Sequence, residues 1–149
     1  MQDVMLRHGD WVIVCDGAKA LIFENQGQPQ KPQLKLREAH EQRNLPSHEQ
    51  GTDAPGRFVN TGDSGNRSAM EPPNYHDRVE REFLTILLRR LDGAVMSGET
   101  RSLVLVAPPR ALGVLRAVCP NTLKAAISAE VAKDLVKMPV PEIERHLSR

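Results

Sequence analysis

The sequence predicts an α/β fold, a mixed β-sheet covered by helices, and three observations carry that prediction. Two short, continuous, β-branched apolar runs, WVIVC at Trp11–Cys15 and SLVLVA at Ser102–Ala107, have the character of strands buried on both faces. The first leads through an Asp-Gly step into an alternating run, which is a hairpin signal. The second leads through two prolines into a helical pattern, as the start of a βα crossover does. A leading hairpin followed by crossovers gives a sheet with both antiparallel and parallel pairs. At 149 residues the chain fits a single domain over 1–149 and can bury roughly 70% of its unfolded surface.

Each element follows from local chemistry. After Trp11–Cys15, Asp16-Gly17 is expected to make a two-residue turn, because glycine accepts the positive φ that such turns require. Ala18–Glu24 alternates as the second strand, and Asn25–Pro32 reads as a turn. Gln33–His40 alternates too, with charges that suit an exposed third strand. Glu41–Pro73 is rich in Gly, Asn, Ser, Asp, Arg and Pro, with scattered apolar residues, and reads as a long flexible loop. Asn74–Leu91 is predicted as a helix with the stripe Val79, Phe83, Ile86, Leu87 and Leu91. Asn74 would cap it, Asp77 and the pair Arg89 and Arg90 would suit its dipole, and Asp92-Gly93 would end it. Pro108-Pro109 ends the strand Ser102–Ala107, and Arg110–Val118 restarts as a helix through Leu112, Leu115 and Val118. Asn121–Ala126 suits a short helix, Ile127–Val131 an edge strand, Ala132–Asp134 a polar turn and Pro141–Leu147 a final helix. One core is expected to bury Val12, Val14, Leu103, Leu105 and Phe83 together.

Composition narrows the function. Aromatic residues make up only 3%, too few for a base-stacking surface of the single-strand RNA-binding kind. The net charge of +1 gives no overall attraction to nucleic acid or membrane. The charge is unevenly placed, however. Arg101–Arg149 holds eight Lys/Arg and four Asp/Glu, whereas Glu41–Tyr75 holds three Arg and five Asp/Glu. A polyanion site therefore belongs mainly to the C-terminal part. Cys15, inside an apolar run, reads as a buried thiol, and two isolated cysteines without a secretory signal are expected to stay reduced. The absence of a signal-like segment and of a membrane-length apolar run points to the cytoplasm.

The strongest candidate site is Arg110. It stands at a helix start after a strand, where open backbone N–H groups and the positive dipole end favour an anion. Arg116 and Lys133 could extend that surface, and Arg57 and Arg67 could bind phosphate from the long loop. No glycine-rich fingerprint precedes the helix, so no nucleotide cofactor is expected. His40, His48 and His76 with Glu49 or Asp53 lack metal-binding spacing, and no metal is expected. His76, near a helix N-terminus, is a weak candidate for a base or an RNA contact. Ser64 and Ser68 lack a nucleophile motif.

The segments VCDGAKALIFE (Val14–Glu24), Gly56-Arg57 with Arg67, Glu71 and Pro72, His76 with Glu80 and Phe83, LVLVAPPRALGVLR (Leu103–Arg116) and Lys133-Asp134-Leu135 resemble the host-attachment protein family, described as bacterial proteins required for attachment to host cells. The resemblance runs over nearly the whole chain, and the APPR-x-LG run is its most specific part. That family is similar to the middle domain of archaeal and eukaryotic release factors and Pelota. The resemblance implies a Rossmann-like sheet, with Glu41–Pro73 in the place of the release factors' catalytic loop. Those factors use a Gly-Gly-Gln tripeptide. Here the nearest approach is Gln50-Gly51, which argues against ester hydrolysis on the ribosome.

Together these readings favour a non-catalytic binding module connected with translation, contacting RNA or a ribonucleoprotein, with any part in attachment indirect. The alternatives are a hydrolase or nuclease using His76 and loop residues, and a protein-interaction adaptor in a regulatory pathway. The sequence leaves the oligomeric state open.

Overall fold

A computed structural model describes residues 4–42 and 75–148. Two compact units are present, Met1–Glu41 with Arg81–Arg149, and Gln42–Glu80. The first unit contains a five-stranded sheet in the order β3-β2-β1-β4-β5. Its strands are β1 (Trp11–Cys15), β2 (Lys19–Asn25), β3 (Leu34–Glu41), β4 (Leu103–Ala107) and β5 (Ile127–Ala132). β1, β2 and β3 pair antiparallel, while β1–β4 and β4–β5 are parallel. This is the mixed α/β sheet that the hairpin and the crossovers predict. The helices are α1 (Tyr75–Met96), α2 (Pro109–Val118), α3 (Asn121–Lys124) and α4 (Val140–Leu147).

The central strands β1 and β4 are buried at every position, so their side chains divide between two faces. The parallel register sets Trp11 beside Leu103 and Ile13 beside Leu105, and Val12 beside Val104. Two cores result. Trp11, Ile13, Leu103 and Leu105 pack under Leu84, Leu88 and Leu91 of α1 and Leu112 and Leu115 of α2. Val12, Val14, Val104 and Val106 pack on the opposite face with Leu6, Phe23, Ile143 and Leu147. The expected single cluster is thus corrected. Phe83 packs, partly buried, with Leu103 and Leu105, but Val12 and Val14 belong to the other core. Successive strand residues point to opposite faces, so the register between β1 and β4 makes this assignment.

Local chemistry explains three further differences from the sequence reading. In the first hairpin, the Asp16 N–H donates to the Lys19 carbonyl, so Gly17 and Ala18 occupy the centre of the turn. The Asp16 carboxylate accepts the N–H groups of Ala18 and Lys19 at 2.9 and 2.8 Å, and this side-chain turn replaces the expected Asp-Gly one.

α1 runs through Asp92 and Gly93 to Met96 and stops at Gly98, whose φ is +85°. There the Glu99 N–H donates to the Ala94 carbonyl and the Gly98 N–H to the Val95 carbonyl, the bonding of a Schellman cap. Arg89 and Arg90 therefore lie before the last turn, which has no basic residue.

The buried stripe of α1 is Leu84, Leu87, Leu88, Leu91 and Ala94, while Ile86 is 63% exposed. At about 100° per residue, Ile86 lies about 200° from Leu84, on the solvent side. The expected cap Asn74 and the long loop up to Pro73 lie outside the described residues, except for its first two positions.

Candidate functional site

The carboxyl ends of the parallel strands β1, β4 and β5 come to one edge of the sheet, and Glu41, at the end of β3, pairs with Lys19 at the same edge. Ligands of open α/β sheets bind preferentially at such an edge. At the end of β4, Pro108 is extended (φ −61°, ψ 156°) and Pro109 enters the first helical position of α2. Proline fits there because its missing N–H would have had no helical partner. Among the described residues no side chain caps this helix start, and its first turn carries no acidic residue. Arg110 is exposed in that turn. One strand over, Lys133 follows β5, with its Nζ 3.1 Å from Nδ1 of His146 on α4. The edge thus carries two cations from neighbouring strand ends, beside an uncapped helix start.

The structure separates the remaining sequence candidates. Arg116 lies farther along α2 and is engaged by Glu130 of β5 at 2.7 and 2.8 Å, although its side chain is 61% exposed. A polyanion at Arg116 would compete with that carboxylate. Arg57 and Arg67 lie outside the described residues, as do His48, Glu49 and Asp53. His76 belongs to the second unit. It is exposed in the first turn of α1, with its ring edge-on to Tyr75 at 5.4 Å. Among the described residues no group of three or more His, Cys, Asp or Glu is placed to hold a metal ion.

One ionic cluster went unnoticed in the sequence. Arg90 of α1 donates to Glu38 of β3 at 3.1 and 3.2 Å and to Glu99 at 3.0 and 3.3 Å. Arg37 pairs with Glu24 at 3.1 Å and Glu99 at 3.7 Å, and His40 lies 3.0 Å from Glu38. Arg37 and Arg90 stand 4.8 and 5.8 Å from the ring centre of the fully buried Trp11. The cluster ties α1 to strands β2 and β3 over the indole. Gly98 sets up the turn that brings Glu99 back to it. No local motif announces these partners, because Arg90 and Glu38 are 52 residues apart.

The hydrogen bond from Arg90 holds the Glu38 carboxyl down at about 2, and Arg90 also lowers Glu99. Burial pushes the Cys15 thiol up to about 12 and raises Cys119, and both thiols are free.

Fold and site together define an α/β protein with a mixed five-stranded sheet, whose carboxyl edge bears cationic side chains and an uncapped helix start. The sequence narrows this class. Residues 11–147 match the family described as "Protein required for attachment to host cells", and the chain belongs to that family. No curated protein matches the chain. No helix among the described residues is long and apolar enough to cross a membrane.

Proposed function

We propose that the protein is a non-catalytic binding module that grips a phosphate-bearing partner, RNA or a ribonucleoprotein of the translation apparatus, at the carboxyl edge of its sheet. The observation that carries this reading is the uncapped start of α2, without an acidic residue in its first turn, with Arg110 in that turn and Lys133 at the neighbouring strand end. Backbone N–H groups and a helix dipole favour an anion at such a start, and two cations nearby add charge-assisted bonds. Arg57 and Arg67 would add contacts from the long segment. The resemblance to the middle domain of release factors and Pelota supports a partner in translation, and the lack of a Gly-Gly-Gln tripeptide supports binding without ester hydrolysis. The attachment named in the family description would then be an indirect consequence of that binding.

Ribosome or RNA co-sedimentation across a salt series tests the proposal. Arg110→Ala should weaken association and lower the log–log salt slope by about one unit, with little change in thermal stability. Association unchanged by both Arg110→Ala and Lys133→Ala would sink it.

A protein-interaction adaptor is the second reading. It is favoured by the engagement of Arg116 with Glu130, which leaves less free positive charge than the sequence suggests. A lysate partner retained after RNase treatment would favour it.

A further inference from the structure

The two edges of the sheet are finished differently. On β3, the Leu34 N–H donates to the Glu144 carboxylate of α4 at 2.8 Å, and ion pairs from Arg37 to Glu24 and from Lys19 to Glu41 flank the strand. Charge and a covering side chain are usual protections of an edge against pairing with another chain. Among the described residues β5 pairs with β4 alone, and its one charged residue, Glu130, is turned to Arg116 of α2. After a register shift that passes over Ser128, Ala129–Ala132 runs in regular pairing with Val104–Ala107. An open groove of about 390 Å³ follows this edge, lined by Arg116, Lys124, Ile127, Ser128, Ala129 and Glu130. Its charges are unequal. Nε and Nη2 of Arg116 hold Oε1 of Glu130 at 2.8 and 2.7 Å. Nη1 of Arg116 and the exposed Lys124 make no hydrogen bond or ion pair among the described residues.

We infer that this edge is a docking site for an extended acidic peptide of another protein, which adds to the sheet beside β5 and sets a carboxylate in the groove. Charge selects this occupant. Two cations face one carboxylate, and that carboxylate is already held, so the groove keeps a positive charge that a basic or neutral segment would not meet. The Lys124 ammonium is the main contact. Nη1 lets Arg116 bond a second carboxylate without releasing Glu130, since a guanidinium has several donors. Repulsion from Glu130 places the guest's carboxylate towards Ile127 and Lys124. The edge itself selects a peptide over a polynucleotide. Strand residues that are not turned to β4 present both N–H and C=O outwards, and a peptide backbone answers both, whereas phosphate groups only accept. Side chains of the guest alternate between the faces of the sheet. An acidic residue on the α2 side therefore lies in the groove with Ile127, and small apolar residues before and after it lie on the face of Ala129 and Val131.

A chemical-shift titration of the isotope-labelled full chain tests this inference. The probe is the capped peptide Thr-Val-Glu-Val-Thr-Ser, and its counterpart carries Lys in place of Glu. The Glu peptide should shift the amides of 129–132. Lys124→Glu should weaken it about tenfold and tighten the Lys peptide, because the charge at the start of the groove has changed sign, and Lys124→Ala should fall between. Two versions of the Glu peptide, N-methylated at alternate sets of amides, separate strand addition from attraction by charge alone. One should lose binding and the other keep it, since only one edge of the guest meets β5. Binding that survives both methylations, or that is indifferent to Lys124→Glu, overturns the inference. So does an edge untouched by the Glu peptide at millimolar concentration, or one whose amides shift only with protein concentration or only with an RNA oligonucleotide. The inference goes beyond the RNA reading and does not rest on it. Lys124 precedes β5, whereas Lys133 follows it and Arg110 follows β4, so the co-sedimentation test can fail while this one succeeds.

Discussion

The two faces of the sheet are covered by different means. On one, the 22-residue α1 and the 10-residue α2 lay regular apolar stripes over Trp11, Ile13, Leu103 and Leu105. On the other, an eight-residue helix shares the work with irregular chain, Val4 and Leu6 before β1 and Leu135 and Val136 after β5. A helix satisfies its own backbone, whereas irregular chain must find partners for every buried N–H and C=O. The second face accordingly relies on a polar pin. Asn25, fully buried, donates to the carbonyls of Leu6 and Arg7 and accepts the N–H groups of Gly27 and Gln33 at 2.8 and 2.9 Å. Gly27 belongs to the same design, because a Cβ there would collide with the Lys31 carbonyl oxygen. One face is held by packing volume and the other by packing plus a few specific hydrogen bonds.

Substitutions that act on only one of these mechanisms test the contrast. The largest effect is expected on the helix-covered face. Leu105→Ala leaves a cavity under α1 and α2 and should cost roughly 2–5 kcal/mol in denaturant unfolding. A loss under about 0.5 kcal/mol would show that this strand does not carry the core. On the other face, Asn25→Ala removes no large apolar volume but strands several backbone groups, each worth about 1–3 kcal/mol when left unmatched. A total cost of about 2–3 kcal/mol is expected, with hydrogen exchange at Gly27 and Gln33 accelerating more than at Leu105. Equal acceleration everywhere would remove the distinction between the faces.

The smallest effect concerns the ion cluster above Trp11. Arg90 depresses the folded Glu38 pKa from its ordinary value of 4.5 to about 2. A carboxyl whose pKa is lower in the folded state contributes stability above its unfolded value and loses it as pH falls through the folded one. The protein should therefore lose stability between about pH 4.5 and pH 2, and Arg90→Gln should flatten that part of the profile. Because the pair is partly solvent-screened, the change at neutral pH should be about 1 kcal/mol or less. An identical acid limb in the variant would rule out this pair as its source.

Much of the architecture was legible along the chain because its causes are local. β1 and β4 announce themselves as unbroken apolar runs, and α2 by prolines that can start a helix but not continue one. The end of α1 was misplaced because Asp92-Gly93 has the composition of a stop. Gly93 nonetheless continues the helix, and the positive φ that ends it belongs to Gly98. In the candidate site, Arg110 was found from its place after a strand. The engagements of Arg116 and Lys133 were not, since Glu130 and His146 lie 14 and 13 residues away on other elements.

The sequence by itself determined the α/β class, the mixed sheet, the two central strands and a cationic helix start at the end of β4, since composition and periodicity act over a few residues. Only the tertiary structure decided which face each strand residue serves and which charges are engaged. The register of β1 on β4 joins positions about 90 residues apart. A slip of β1 by one residue would turn Val12 to the opposite face without altering any local pattern.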